Sequence, residues 1–244
     1  MHNAPWNRSP LARLQARNPR SLTEVTDVRD VSAAALPEHT VKLLRNTYAL
    51  LAMTLLFSAA IAILSMQLRL PPPGLIFTLL AYFGLLYLVN RTRNSGWALP
   101  AVFGLTGFMG YSLGPILTHT LAIPGGAQSV ALALAATGAS FLALSAYVVQ
   151  TRRDLRFMGG FLMVGMVIAL LASLAALFFQ IPALGLVVSA MVAMLSVGSL
   201  MSETSRLVNG GETNYVMATV GLYVSLFNLF TSLLSLFGFA GSDD

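Results

Sequence analysis

The chain has 244 residues, 56% of them hydrophobic and only 9% charged, where an average soluble domain has about 45–50% and about 25%. This excludes a water-soluble globule. It contains no cysteine, which excludes disulfides, thiolate metal sites, iron–sulfur clusters and cysteine nucleophiles. The 14 Lys and Arg against 9 Asp and Glu give a formal charge of +5; because these charges fall between apolar runs, the excess reads as membrane topology rather than nucleic-acid binding.

Residues 1–47 hold seven of the basic residues (Arg8, Arg13, Arg17, Arg20, Arg29, Lys42, Arg45) and four acids (Glu24, Asp27, Asp30, Glu38). This composition predicts a mostly disordered tail, with short surface helices conceivable at Leu11–Ala16 or Val41–Leu44. A cleaved signal peptide places its apolar stretch within the first 15 to 30 residues or so, whereas the first such stretch here begins near Tyr48. The first span therefore reads as an uncleaved anchor.

Seven apolar runs follow, at about 48–66, 73–89, 97–117, 127–149, 157–179, 183–201 and 215–239. Most reach the roughly 17 to 25 residues that a helix needs to cross a bilayer. They are too long and too continuously apolar for the alternating strands of an outer-membrane barrel. The predicted fold is an all-α, seven-transmembrane-helix bundle, with a tight hairpin at Gln180–Pro182 between spans five and six. Basic residues lie thirteen to one on the side of the tail and the even-numbered connections, with Arg69 alone on the other. The N-terminus is thus expected in the cytoplasm and the short acidic C-terminus (Asp243, Asp244) in the periplasm.

Catalytic signatures are sparse. There is no phosphate-binding glycine loop and no HExxH motif, and His2, His39 and His119 are the whole histidine complement. Ser140 within Gly138-Ala139-Ser140, with His119 as its base, is the nearest approach to an intramembrane protease, and a small-residue packing face explains it better. The Asn-x-Ser/Thr triplets at Asn7 and Asn90 fall on the expected cytoplasmic side and read as chance matches. No catalytic residue, cofactor site or metal site is predicted.

The acids near the membrane say more. Asp154 stands among Arg152, Arg153 and Arg156 and reads as their solvated partner. In span six, Ser189, Ala193, Ser196, Leu200 and Glu203 repeat at intervals of four and three and share one helix face. Span seven carries a fuller seam at the same spacing: Asn214, Ala218, Gly221, Ser225, Asn228, Ser232 and Ser235. Small polar stripes in a membrane face other helices rather than lipid. They predict either plain helix packing, with hydroxyls bonded back to their own turns, or the lining of a narrow polar path. Glu203 is either an interior carboxylate or an interfacial one paired with Arg206. Gly104, Gly107, Gly110 and Gly114 ahead of Pro115 predict a third span that packs closely and bends.

Several strings resemble a known family: LRNTYALL at 44–51, GYSLGPIL at 110–117, SAYVVQTRRDLRFMGGFL at 145–162, SETSRLVNGGETNYVMAT at 202–219 and LYVSLFNLFTSLLSLFGFA at 222–240. From about residue 41 onward the chain is similar to the Bax inhibitor-1 (transmembrane Bax inhibitor motif) family, in its bacterial YccA branch. The resemblance implies a bundle with one helix surrounded by the others. It also implies an inner-membrane modulator of the FtsH AAA protease, with HflK and HflC as further partners. The wider family implies a pH-sensitive calcium leak through paired acids on the last two spans. Here Glu203 keeps one carboxylate and Ser225 stands at the second position, and Arg91 or Arg93 matches a family arginine at the end of span two. Two adjacent carboxylates are what raise one pKa and make a pH switch, so the change to Ser225 argues against calcium conduction. The candidate interior polar site is Glu203, Ser225, Asn228, Arg91, Arg93 and Arg206.

Overall fold

The computed structural model describes residues 37–240, all of whose regular structure is helical. The helices are α1 (Glu38–Gln67), α2 (Leu75–Thr92), α3 (Ala98–Leu121), α4 (Gly126–Thr151), α5 (Met158–Phe179), α6 (Pro182–Val208) and α7 (Tyr215–Ala240). All seven are long and apolar enough to cross a bilayer. A backbone in lipid must satisfy its N–H and C=O groups internally, and a helix does so within one segment.

Two boundaries differ most from the sequence expectation. Helix α1 begins at Glu38 rather than near Tyr48, so residues 38–47, Val41–Leu44 included, belong to one continuous helix rather than to a tail. Hydropathy marks only the lipid-matched part of a helix, and the polar turns of EHTVKLLRNT continue it without an apolar signal. Helix α6 likewise runs past Met201 to Val208, which keeps Glu203 and Arg206 inside regular helix. The proposed helix at Leu11–Ala16 and the acids Asp243 and Asp244 lie outside the described residues.

Helix ends follow local chemistry. Helix α4 ends on Arg152 and α5 on Gln180, both in the left-handed region (φ 50° and 53°), each donating its N–H back into its helix. Pro182 opens α6, where its fixed φ and missing N–H cost nothing. Together these close the α5–α6 hairpin across two residues. Asn214 caps α7: its side-chain oxygen accepts from Val216 N at 2.9 Å, while its amide donates to the Arg93 carbonyl at 3.0 Å and to Asn94 Oδ1 at 2.9 Å.

Helix α7 is the most enclosed element, with half of its apolar window buried against 6% for α2 and 11% for α5. It packs on α6, α4 and α3, and it reaches α1 at Thr219, whose Oγ1 lies 3.2 Å from the Thr47 carbonyl and 2.7 Å from the Tyr215 carbonyl of its own helix, its one proton shared between them. Helix α3 packs its glycines on α1. A Cβ at Gly110 would collide with the Ser58 carbonyl, and one at Gly114 with the Ser65 side chain, so only glycine permits this approach. Helix α3 stays a single helix through Pro115. Helices α2 and α5 are peripheral: α2 packs chiefly on α3 and α5 on α6.

Candidate functional site

The gap between α2 and α5 is a cleft of about 790 Å³ whose floor is formed by α6 and α7. Its walls are apolar and include Leu79, Tyr82, Phe83 and Leu86 of α2 and Met163, Met166, Val167 and Leu170 of α5. The rim opens sideways, with Phe83 52% and Met163 72% exposed, whereas Ser225 and Ser232 on the floor are buried. The seam of α7 accordingly supplies Gly221, Ser225, Asn228 and Ser232 to the floor, and α6 supplies Ser189, Val192, Ser199, Glu203 and Arg206.

Charge gathers at one end of the cleft. Glu203 Oε1 lies 3.6 Å from an Arg206 terminal nitrogen, and the other terminal nitrogen lies 3.7 Å from Glu212 Oε2. Both contacts are ion pairs longer than a good hydrogen bond. Arg206 thus stands between two carboxylates, all three side chains being only partly exposed. Glu212 is held by the backbone, its Oε1 accepting from Thr213 N and Asn214 N at 3.0 and 2.9 Å. Glu203 is seated by a glycine: a Cβ on Gly221 would come within 2.9 Å of its carboxyl carbon and 3.0 Å of Oε2. The carboxylate therefore lies against the α7 backbone.

The sequence-derived residues divide accordingly. Glu203, Arg206, Ser225 and Asn228 line this cleft together. Arg91 and Arg93 do not: both are exposed, Arg91 in the last turn of α2 and Arg93 just beyond it, where Arg93 offers its backbone carbonyl to Asn214. In α6 the expected row is turned slightly, because Ser196 and Leu200 are fully buried and Ser199 takes a place in the cleft. Ser225 donates to the Gly221 carbonyl at 2.9 Å, the back-bonding expected of a helical serine. His119 lines a separate cavity of about 1410 Å³ at the opposite end of the bundle, to which Ser140 does not contribute.

Two features escaped the sequence reading. Glu212, in the α6–α7 loop, completes the charge group, and its only sequence signal was that acids near the membrane are few. Tyr223 is fully buried, and its hydroxyl donates to Ser58 Oγ at 2.6 Å and lies 3.3 Å from the Thr106 carbonyl, joining α7, α1 and α3. A tyrosine inside an enclosed helix needs such a partner, but the partner could not be named from spacing.

Around the charged end, loops are tied to helices. Ser205 Oγ donates to the Arg153 carbonyl at 2.8 Å and accepts from Leu155 N at 2.9 Å. Asp154 pairs with Arg156 at 2.6 Å, and those hydrogen bonds hold the exposed Asp154 carboxyl below its ordinary pKa.

Comparison with known proteins places this architecture. The model of the family "Inhibitor of apoptosis-promoting Bax1" matches residues 40–242. The chain belongs to the Bax inhibitor-1 family. It is 50% identical over 202 residues to YccA of Escherichia coli K12, covering 83% of this chain and 92% of that protein, which is named a modulator of FtsH protease. The counterpart in E. coli O6:H1, at the same identity and coverage, is named an inner membrane protein. An uncharacterized protein of Pseudomonas aeruginosa is 48% identical over 213 residues, covering 87% of this chain and 96% of its own. The chain is a multi-pass inner-membrane protein, and its seven apolar helices give the physical basis.

Proposed function

We propose that this chain is a non-enzymatic regulatory protein that binds the FtsH protease complex, with HflK and HflC, and modulates degradation of membrane proteins. The observation that carries the reading is 50% identity across 92% of a relative named for modulating FtsH. The polar groups of the cleft are hydroxyls, an amide and a three-membered ion-pair group. On the arginine excess we read the N-terminus and the Glu203 end as cytoplasmic. The arginine-rich segment ahead of α1 is then on the side from which an ATP-driven protease draws its substrates.

The test is partner recovery. Mild crosslinking in native membranes followed by purification of this chain should recover FtsH together with HflK or HflC. Recovery of none of the three from membranes that contain them would contradict the reading.

An alternative is a pH-sensitive ion leak for calcium or protons. What favours it is that the cleft and the larger cavity share Ser189 and Thr231, so hydroxyls line both at the level where they approach. Against calcium stands the engagement of both acids: Glu203 and Glu212 are paired with Arg206, Glu212 is also held by backbone N–H groups, and Ser225 supplies one hydroxyl already bonded to Gly221, where a divalent ion needs several oxygen ligands. Proteoliposomes should pass little calcium from about pH 6 to about pH 8, and Ser225→Asp should raise the flux in a manner that Glu203→Gln abolishes. Robust flux from the unmodified chain, insensitive to Glu203→Gln, would place any conducting site elsewhere.

A further inference from the structure

The α2–α5 cleft is open to the hydrocarbon of the bilayer along its side and charged at one end, a combination that neither packing nor a protease-binding role requires. We infer that it is a binding site for one phospholipid carrying a primary ammonium headgroup. The acyl chain lies between α2 and α5, the ammonium is on Glu203 and the phosphate on Arg206. This inference is independent of whether the chain engages FtsH.

Depth is the first argument. Glu203 lies five residues from the end of α6 at Val208, about 7–8 Å along the axis at 1.5 Å per residue, which is where headgroups meet hydrocarbon. From Glu203 to Ser189, both lining the cleft, the axial distance is about 21 Å, enough for the ~15 Å that one leaflet's chains span. A charge at the mouth followed by an apolar trough of that reach matches a lipid entering from its own leaflet.

Volume is the second. The cleft encloses about 790 Å³, within the roughly 300–1,000 Å³ of small-ligand sites. A membrane-crossing helix of ~10 Å diameter and ~30 Å length would fill on the order of 2,400 Å³. The space fits an acyl chain and not a partner's helix.

Charge decides the headgroup. Glu203, Arg206 and Glu212 together carry one net negative charge, and Arg206 is 3.6 and 3.7 Å from the two acids. Arg156 does not offset this, being engaged by Asp154 at 2.6 Å. A purely anionic headgroup would meet two carboxylates. A zwitterion satisfies both signs, its ammonium donating charge-assisted hydrogen bonds to Glu203 and its phosphate accepting from the guanidinium. A quaternary choline headgroup has the charge but no N–H to donate. Gly221 is the positioning residue, since a Cβ there would displace the Glu203 carboxylate from the cleft floor.

The test uses the full chain in detergent micelles, titrated separately with phosphatidylethanolamine, phosphatidylcholine and phosphatidylglycerol and read by native mass spectrometry. Phosphatidylethanolamine should bind at least tenfold more tightly than either of the others, and Glu203→Gln should remove that preference. Gly221→Ala, which retains the carboxylate but shifts it, should weaken binding severalfold while helicity and melting temperature stay unchanged, so the inference remains testable even if Glu203→Gln folds poorly. In native membranes, a photoreactive benzoylphenylalanine in place of Leu86 should capture lipid enriched in ethanolamine headgroups, and Glu203→Gln should abolish the enrichment. Equal binding of the three lipids, a preference that survives both substitutions, or capture of a polypeptide in place of lipid would each overturn it.

Discussion

The two faces of α7 are built from similar residues under opposite constraints. Toward α1 and α3 the helix presents Thr219 and Tyr223, fully buried and hydrogen-bonded across helices. Toward the cleft it presents Gly221, Ser225 and Asn228, which are flanked by α6 and open on the gap between α2 and α5. In lipid no hydrophobic force drives helices together, so association depends on close packing and on interhelical hydrogen bonds. The first face uses both. The second packs on α6 alone and leaves space beside it, which is what a site requires and a scaffold does not.

Two glycines make the contrast measurable. A Cβ at Gly110 meets backbone, the Ser58 carbonyl on α1, which cannot yield without moving a helix. Gly110→Ala should therefore destabilise the bundle toward the upper end of the about 1–3 kcal/mol typical of overpacking, read as a lower melting temperature in detergent. Tyr223→Phe removes the buried bond to Ser58 and leaves that hydroxyl short of a partner; a loss of ~1–2 kcal/mol is expected in the same measurement. Gly221→Ala adds the same methyl group as Gly110→Ala, but against the movable end of Glu203. Its stability should change by less than ~1 kcal/mol, the helix-propensity gain of alanine offsetting the displaced side chain. If Gly110→Ala and Gly221→Ala cost the same, the distinction between a packed and an open face fails.

The smallest effect belongs to the Asp154–Arg156 pair, which is exposed to water. Its hydrogen bonds lower the Asp154 pKa in the folded protein. Any stabilisation from it is then complete above the ordinary aspartate pKa near ~4 and is lost as pH falls through the lowered value. Asp154→Asn should leave melting unchanged from about pH 5 to about pH 8, since exposed pairs of this kind contribute little. A clear drop in that window would mean that the α4–α5 loop is held by this pair rather than by Ser205.

How far the sequence could be read follows from which forces are local. Hydropathy located all seven helices because burial in lipid acts on every residue of a span. It missed the first ten residues of α1 and the last seven of α6, where helix continues through polar turns. The 4,3 repeat placed Glu203 and the α7 seam on helix faces, since periodicity is a property of one helix. It could not supply the rotation that buries Ser196 and exposes Ser199 to the cleft, nor the gap between α2 and α5, because both depend on how separate helices pack. Arg91 and Arg93 were grouped with the interior residues by resemblance alone, and both are exposed at the end of α2.

The regulatory reading is tested most directly by the lifetime of an FtsH membrane substrate in cells, followed after synthesis is stopped, with this chain absent, at natural level and in excess. Competition for or modulation of the protease predicts a half-life that lengthens as the chain accumulates and returns to baseline when it is removed. A half-life identical at all three levels, with the chain verified in the membrane, would contradict the account.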